Sequence, residues 1–337
     1  MKAIVLKQFG GSENFILEDV EDPQLSEGTV KVKIKAAAFN PIDYQMRKGA
    51  NESKLLKSAI LGREMAGIIV GVHTSVNSFK VGDEVYGYVN SLGSNGTYAE
   101  YVVVPEEIIA LKPENLTFND ASAIPLVGLT AIQTVERIGA SKNDTFFITG
   151  GAGGVGSMVI RLLLQQGISN IYTTAGNDES RAKLITYGLP AGQIINYQDG
   201  NVLEGFQRLS GYKNATICID TVGGRLSETC AWLIKTNGIY ADITFLTTPA
   251  SREILFNKGV TIINISNYAY ALEKDRTQTA YYGNRLNLLK QYLDGKTLMP
   301  TPIKVVGGFD IDTVKKAHYL LENNLTKGNK LVMEVGK

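Results

Sequence analysis

Three glycines between residues 145 and 166 have the spacing of a phosphate-binding loop. They are Gly151, Gly153 and Gly156 in the stretch TFFITGGAGGVGSMVIRLLLQQ, in which an apolar run precedes the loop and an amphipathic helical pattern follows it. The first glycine permits a tight turn, the second lets a pyrophosphate approach the backbone, and the third lets the helix pack on the strand. The N–H groups at the helix N-terminus would bind the phosphates. We therefore predict dinucleotide binding rather than a plain glycine-rich turn, with contacts from Gly151, Gly153, Gly154, Val155 and Gly156.

The end of the next predicted strand bears on the choice between NADH and NADPH. NAD sites usually carry an Asp or Glu there for the ribose hydroxyls, but this strand ends in Thr-Thr-Ala-Gly at residues 173–176. Hydroxyl groups and a nearby cation suit a 2′-phosphate, so the sequence favours NADPH. Asp178 and Glu179 are interpreted as first-turn helix charges, although either is the alternative ribose ligand. The predicted 2′-phosphate contacts are Thr174, Ser180, Arg181 and Tyr197.

Length and composition are those of a globular protein with two domains. The chain has 337 residues, of which 44% are hydrophobic and 20% charged, and a net charge of +1. This charge gives no electrostatic reason to expect nucleic acid or an anionic membrane as the main partner, and no apolar run is long enough to span a bilayer. The N-terminus has no signal-peptide pattern, and Cys218 and Cys230 are too few for a disulfide framework. We therefore expect a cytoplasmic protein.

The hydrophobic pattern changes character about a third of the way along the chain. Short β-like runs dominate residues 2–111, and Val30, Val32 and Ile34 alternate there with lysines as in a half-buried strand. This pattern predicts a partly closed β domain. Beyond residue 113, strand and helix patterns alternate, which predicts an α/β fold with a doubly wound parallel sheet. The first helical run, 119–138, contains Pro125 as an expected kink. The predicted domains are 1–121 and 269–337 for the catalytic domain and 122–268 for the dinucleotide-binding domain.

Several segments along nearly the whole length carry a family resemblance. They are AAAFNPIDYQMRKG, LGREMAGIIVGV, FKVGDEVYGY, GTYAEYVVVP, PLVGLTAIQTV, ITGGAGGVGS, INYQD and DTVGG. The chain resembles the medium-chain dehydrogenase/reductase superfamily, in its zinc-free quinone-oxidoreductase-like branch. The resemblance implies a GroES-like catalytic domain interrupted in sequence by a Rossmann domain, with the cofactor in the cleft between them. It also implies a homodimer.

The zinc ligands of the superfamily's alcohol dehydrogenases are missing. Asn40 stands at the position of their first Cys, and Arg63 at the position of the His in their Gly-His-Glu motif. The His and Cys residues of the chain are scattered through the pattern and are interpreted as ordinary structural residues. We therefore predict that this protein has no metal site.

Without a metal, catalysis must depend on hydride donation and side-chain hydrogen bonds. By resemblance, Asn40 and Asp43 belong to the active-site loop, and Asn40 is the best candidate donor to the substrate oxygen. Asn-Pro followed by Asp is also a good turn, so a purely structural role stays open. Tyr44 would supply a proton or a stacking face, or belong to the core. Arg63 would bind an anion or, as we favour, a carboxylate such as Glu64. Thr130 resembles a residue beside the nicotinamide.

The expected activity is NADPH-dependent, zinc-independent reduction of a quinone or an α,β-unsaturated carbonyl. One alternative is enoyl-thioester reduction, although relatives with that activity carry a Tyr where this chain has Asn51. A second is a non-catalytic NADPH-binding protein. The pair Tyr270-x-x-x-Lys274 also fits short-chain dehydrogenases, but about 140 residues precede the glycine loop here, so the pair is interpreted as accidental.

Overall fold

A computed structural model describes residues 1–89, 91–273 and 275–336, with the backbone but not the side chain of Asn51. The strands are β1 Lys2–Leu6, β2 Phe15–Asp19, β3 Thr29–Phe39, β4 Glu64–Val72, β5 Glu84–Tyr88, β6 Tyr101–Pro105, β7 Ile109–Leu111, β8 Phe146–Ile148, β9 Ile171–Ala175, β10 Ile194–Asn196, β11 Ala215–Asp220, β12 Ile234–Asp242, β13 Thr261–Asn264, β14 Ile303–Gly307 and β15 Lys330–Glu334. The α-helices are α1 Pro41–Arg47, α2 Phe118–Ser122, α3 Pro125–Ile138, α4 Gly154–Gln165, α5 Asp178–Thr186, α6 Val202–Ser210, α7 Arg225–Leu233, α8 Pro249–Asn257, α9 Ala269–Leu272, α10 Arg276–Asp294 and α11 Ile311–Glu322. Short 3₁₀ turns cover Ser12–Asn14, Asn51–Leu55, Glu106–Ile108 and Ala191–Gln193.

The chain forms two compact units. The first comprises Met1–Leu129 and Tyr268–Lys337, and the second comprises Thr130–Asn267. The chain leaves the first unit within α3 and returns after Asn267.

The first unit is built on a mixed sheet with the order β14-β15-β3-β4-β5-β7, in which β6 also pairs with β3. The alternation in β3 is observed, because Val30, Val32 and Ile34 are buried while the lysines between them are less so. The C-terminal strand β15 runs antiparallel to β3, with Leu331 opposite Phe39. This pairing brings Lys330, the first residue of β15, to the end of β3, next to Asn40.

The helical run predicted for residues 119–138 is interrupted. The structure has two helices there, α2 and α3, and Pro125 is the first residue of the second rather than a kink inside one. Proline has no N–H to donate, and its fixed φ suits the first helical turn, so it begins α3 without losing a hydrogen bond. The kink prediction was wrong for this reason.

The second unit is a doubly wound parallel sheet with the order β10-β9-β8-β11-β12-β13. Numbered from its first strand, this is the 3-2-1-4-5-6 order of dinucleotide-binding folds, and the order reverses between β8 and β11. Aromatic side chains such as Phe147, Tyr172 and Phe206 form part of its core. The predicted fold class, a β-sheet domain with a Rossmann domain inserted in the sequence, is confirmed.

Candidate active site

The glycine loop joins β8 to α4, and its three glycines differ in what surrounds them. A Cβ on Gly156 would lie 2.4 Å from the Gly150 carbonyl oxygen, and one on Gly151 would lie 2.2 Å from Thr173 Oγ1. A Cβ on Gly153, the N-cap of α4, would meet only the Gly150 oxygen, at 3.1 Å. The protein's own packing therefore requires glycine at 151 and 156. Gly153 has this single tight contact and no other described neighbour within 4 Å of the added Cβ, as expected where a pyrophosphate approaches the backbone.

Gly154 and Val155 form the first turn of α4 and are only partly buried. Gly153 gives this helix no side-chain cap. The amides of a first helical turn have no intrahelical acceptor, so they are available to a bound anion. The loop thus fits the pyrophosphate of a dinucleotide.

The predicted 2′-phosphate residues lie around the end of β9. Thr174 is in β9, Ser180 is in the first turn of α5, and Tyr197 is 53% exposed. The Tyr197 hydroxyl lies over Gly176, since a Cβ there would be 1.9 Å from it. The guanidinium of Arg181 donates to the carbonyls of Ala191 and Ile194, at 3.0 and 3.2 Å. Arg181 would have to exchange these backbone acceptors for a phosphate.

Thr130 lies near the start of the second unit and is buried. Its hydroxyl oxygen accepts a 2.6 Å hydrogen bond from the Asn267 side chain. Thr134 donates in turn to the Thr130 carbonyl. The structure thus orients the Thr130 hydroxyl, and its place beside the nicotinamide stays a prediction.

Asn40 lies in a buried polar cluster of the first unit. Its side-chain Nδ2 donates to Glu64 Oε1 at 2.8 Å, and its Oδ1 accepts from the Lys330 ammonium at 2.5 Å. The same ammonium forms an ion pair with Glu64 Oε1. Asn40 is 1% exposed and Lys330 7% exposed. The Glu64 carboxylate and the Lys330 ammonium therefore fix the orientation of the Asn40 amide. One N–H hydrogen of that amide bonds to Glu64, and the second is the one that could donate to a substrate.

Asp43 and Tyr44 follow Asn40 on α1. The carboxylate of Asp43 accepts from the Asn40 backbone N–H at 2.8 Å, while its Oδ1 is buried without a hydrogen-bond partner among the described residues. Burial raises the pKa of Asp43 to about 7, although the Asn40 N–H and the charges of Arg63 and Lys330 act in the opposite direction. Tyr44 is half-buried, and the Lys48 ammonium lies over its ring. The catalytic roles of Asn40, Asp43 and Tyr44 stay predictions.

Replacing Asp43 with asparagine should change how stability depends on pH. The folded state holds the Asp43 proton more tightly than the unfolded chain. The contribution of this proton to the free energy of unfolding is therefore complete below about pH 4 and is lost as the pH rises to about 7. Asparagine can still accept from the Asn40 N–H but does not titrate. Between pH 4 and 7 the free energy of unfolding of the wild type, measured in urea, should fall by about 2–4 kcal/mol more than that of Asp43→Asn. Parallel pH curves for the two proteins would contradict the raised pKa.

Arg63 and Glu64 are adjacent in the chain, and each bonds to other groups in the first unit. Glu64 forms its ion pair with Lys330, and its second oxygen accepts from the Leu126 backbone N–H at 2.7 Å. The Arg63 guanidinium donates to the Tyr88 hydroxyl and to the Met46 sulfur. Nothing in the sequence predicts a role for Lys330 in this cluster, because a lysine at the start of a strand is usually exposed to solvent.

The residue types that ligate zinc do not converge in the described part of the chain. No group of three or more His, Cys, Asp or Glu residues that could hold a metal occurs there. Cys218 and Cys230 are free and buried. His318 is buried with its Nε2 3.1 Å from the Tyr98 hydroxyl, and burial lowers its pKa to about 3. The side chain of Asn51, and Lys274 of the Tyr270-x-x-x-Lys274 pair, lie outside the described residues.

Two known protein families match two separate parts of this chain. Residues 26–114 match the alcohol dehydrogenase GroES-like domain, and residues 154–279 match the zinc-binding dehydrogenase family. A 2-methylene-furan-3-one reductase from Solanum lycopersicum is 32% identical over 98% of this chain and 79% of its own length. An NADPH-dependent alkenal/one oxidoreductase, chloroplastic, from Arabidopsis thaliana is 29% identical over 99% of this chain and 80% of its own.

A solved structure is similar over the full length. The quinone oxidoreductase from Coxiella burnetii superposes with a TM-score of 0.82 at 29% identity, covering 100% of this chain and 99% of that one. The shared fold, the two domain matches and the reductase relatives that match nearly all of this chain lead to one assignment. The chain belongs to the medium-chain dehydrogenase/reductase superfamily, in its quinone-oxidoreductase-like branch.

Proposed function

We propose that this chain is an NADPH-dependent, zinc-independent reductase of quinones or α,β-unsaturated carbonyls. The observation that carries the proposal is the Asn40 amide, which stands where zinc-dependent relatives have a ligand and is oriented by Lys330 and Glu64. An oriented N–H donor stabilises the negative charge that develops on a carbonyl oxygen during hydride addition. The relatives named for alkenal/one and quinone reduction support the same substrate class.

NADPH supplies the hydride when it is bound, and the second unit supplies its binding residues. The amides of Gly151, Gly153, Gly154, Val155 and Gly156 would bind the pyrophosphate, and Thr130 would lie beside the nicotinamide. Thr174, Ser180, Arg181 and Tyr197 would surround the 2′-phosphate. The absence of a carboxylate at the end of β9 supports this assignment.

In the first unit, Asn40 would donate to the substrate oxygen. Asp43, whose pKa lies near 7, would hold or release a proton close to neutral pH. Tyr44 would supply a proton or a stacking face.

A screen of NADPH oxidation tests the function directly. We expect turnover with a simple quinone and with a short-chain enal or enone, unchanged by chelators, from protein that contains no stoichiometric zinc. Faster turnover of an enoyl thioester would establish the alternative reductase class. NADPH binding without turnover of any of the three would leave a non-catalytic NADPH-binding protein, and about one tightly held zinc per chain would refute the zinc-free assignment.

Replacing Arg181 with alanine should weaken NADPH binding much more than NADH binding. A charge-assisted hydrogen bond contributes about 1.5–3 kcal/mol, so we expect roughly a ten- to hundredfold loss for NADPH alone. Ala175→Asp should shift the preference in the same direction by placing a carboxylate at the end of β9. The measurement is the ratio of the two dissociation constants. Equal losses for both cofactors would show that Arg181 only holds the turn at Ala191 and Ile194.

We also propose a homodimer through the edge of the second unit. β13 is the last strand of its sheet, and Ile262 within it is 45% exposed. An unpaired apolar edge is a template for pairing with a second strand. Ile262→Lys should convert the dimer to a monomer in analytical ultracentrifugation, and a monomeric wild type would refute the proposal.

We also propose a cytoplasmic location, because Cys218 and Cys230 are buried and form no disulfide, as is usual in a reducing compartment. Among the described residues, no helix combines the length and apolarity needed to cross a bilayer. Relatives include chloroplastic and mitochondrial proteins, so localisation of the tagged protein in cells is the test.

A further inference from the structure

The carboxylate of Asp220, at the carboxyl end of β11, is fully buried and accepts four hydrogen bonds. Its Oδ1 accepts from the Thr149 hydroxyl at 2.7 Å and from the backbone N–H groups of Val222 and Gly223 at 3.1 and 2.9 Å. Its Oδ2 accepts from the Tyr240 hydroxyl at 2.7 Å. One oxygen thus binds two loops, and the other binds the core.

These bonds lie where the strand order of the second unit reverses. Thr149 follows β8 directly and precedes the glycine loop, whereas Asp220 precedes the loop 221–224. The two loops are joined further, because the Thr221 N–H donates to Thr149 Oγ1 at 3.0 Å and its hydroxyl donates to the Thr149 carbonyl at 2.7 Å. Ligands of parallel α/β sheets bind in the crevice at this switch point.

The next strand provides a comparison. Asp242 ends β12 directly opposite Asp220, and it also accepts from two N–H groups of its own following loop, those of Thr244 and Phe245. The Asp242 carboxylate bonds within its own loop, whereas the Asp220 carboxylate also bonds to Thr149, at the start of the glycine loop. The bonds of Asp242 are explained by its stabilising the loop that follows it. The same explanation does not cover the Thr149–Asp220 bond, which joins two different loops.

We propose that Thr149 and Asp220 form a clamp that holds the glycine loop and the loop 221–224 in one arrangement before the cofactor binds. Both are positioning residues, since they act through the loops on either side of the switch point. Ordering the loops in advance removes part of the entropic cost of binding, so the clamp should increase the affinity for NADPH. This inference rests on the proposed NADPH-binding function.

Two substitutions test the clamp, and each removes a buried hydroxyl group that donates to Asp220. Thr149→Val removes two bonds between the loops, the one from the Thr149 hydroxyl to Asp220 and the one from the Thr221 N–H to that hydroxyl. Tyr240→Phe removes the bond to the core, and both substitutions should lower the thermal unfolding midpoint. In NADPH fluorescence titrations, we expect the dissociation constant to rise about tenfold for Thr149→Val and less than twofold for Tyr240→Phe. Thr149→Ser keeps the hydroxyl and should restore affinity to near the wild-type value.

The possible outcomes separate the clamp from the proposed function. An unchanged dissociation constant in Thr149→Val, or equal losses in Thr149→Val and Tyr240→Phe, would overturn the clamp alone. A wild type that does not bind NADPH would overturn both proposals. A wild type that binds NADPH without reducing any substrate would overturn the reductase and leave the clamp standing if the three variants behave as expected.

Discussion

Replacing Gly153 with valine is expected to abolish NADPH binding in a protein that remains folded. The backbone of Gly153 has an ordinary extended conformation, and a Cβ there would meet only the Gly150 carbonyl oxygen, at 3.1 Å. The branches of valine would occupy the space through which a pyrophosphate must approach the helix N-terminus. The loss of two charge-assisted hydrogen bonds corresponds to roughly a hundredfold or more in the dissociation constant. Fluorescence titration and circular dichroism measure the two effects.

Two other glycines of the second unit serve as controls for this substitution. Gly192 lies in the exposed turn Ala191–Gln193 with open space around it, so Gly192→Val should leave both folding and affinity unchanged. Gly156→Val should fail to fold, because its Cβ would lie 2.4 Å from a carbonyl oxygen. Unchanged NADPH affinity in Gly153→Val would mean that this loop does not hold the dinucleotide.

Replacing Lys330 with methionine should destabilise the protein by about 3–5 kcal/mol and lower its turnover. The substitution leaves the fully buried Glu64 carboxylate without its cation, and an unpaired buried charge costs free energy of this size. It also removes the donor that orients Asn40 Oδ1, so we expect a lower kcat. NADPH affinity, which we assign to the second unit, should change little in the folded fraction.

A double variant and a second lysine separate these effects. Lys330→Met combined with Glu64→Gln removes both charges, so it should recover most of the lost free energy of unfolding but not the turnover. Lys112 is also mostly buried, but its partner Glu84 is half exposed and its ammonium donates to the Leu116 carbonyl. Lys112→Met should therefore cost about 1 kcal/mol and leave kcat unchanged. Equal effects of the two lysine substitutions would refute the special role of Lys330.

The Rossmann unit could be predicted from the sequence because its signals are local. The apolar run of β8, the glycine loop and the amphipathic face of α4 are contiguous in the chain, and the spacing of their residues determines the turn. Alternation of strands and helices then requires a parallel sheet. The break before Pro125 shows the limit of this reasoning, since a proline is compatible both with a kink and with the first turn of a new helix.

The hydrogen-bond partners of the predicted site residues could not be read from the sequence. Arg181 is predicted to bind a phosphate, and the sequence gives no sign that its guanidinium donates to two backbone carbonyls beyond α5 in the folded chain. Nothing in the order of residues indicates which acceptors a long flexible side chain will meet. The clamp was missed for a similar reason, because Thr149 and Asp220 are 71 residues apart.

The sequence by itself is enough to predict that Asn40 stands in place of a metal ligand, since that inference needs only the residue type at a position recognised by resemblance. Only the tertiary structure decided what surrounds Asn40. Lys330 and Glu64 are 266 residues apart and meet because β15 pairs with β3 in one register. A shift of that register by one residue would turn Lys330 to the opposite face of the sheet and leave Glu64 unpaired. The charge balance of the site is therefore a property of strand pairing.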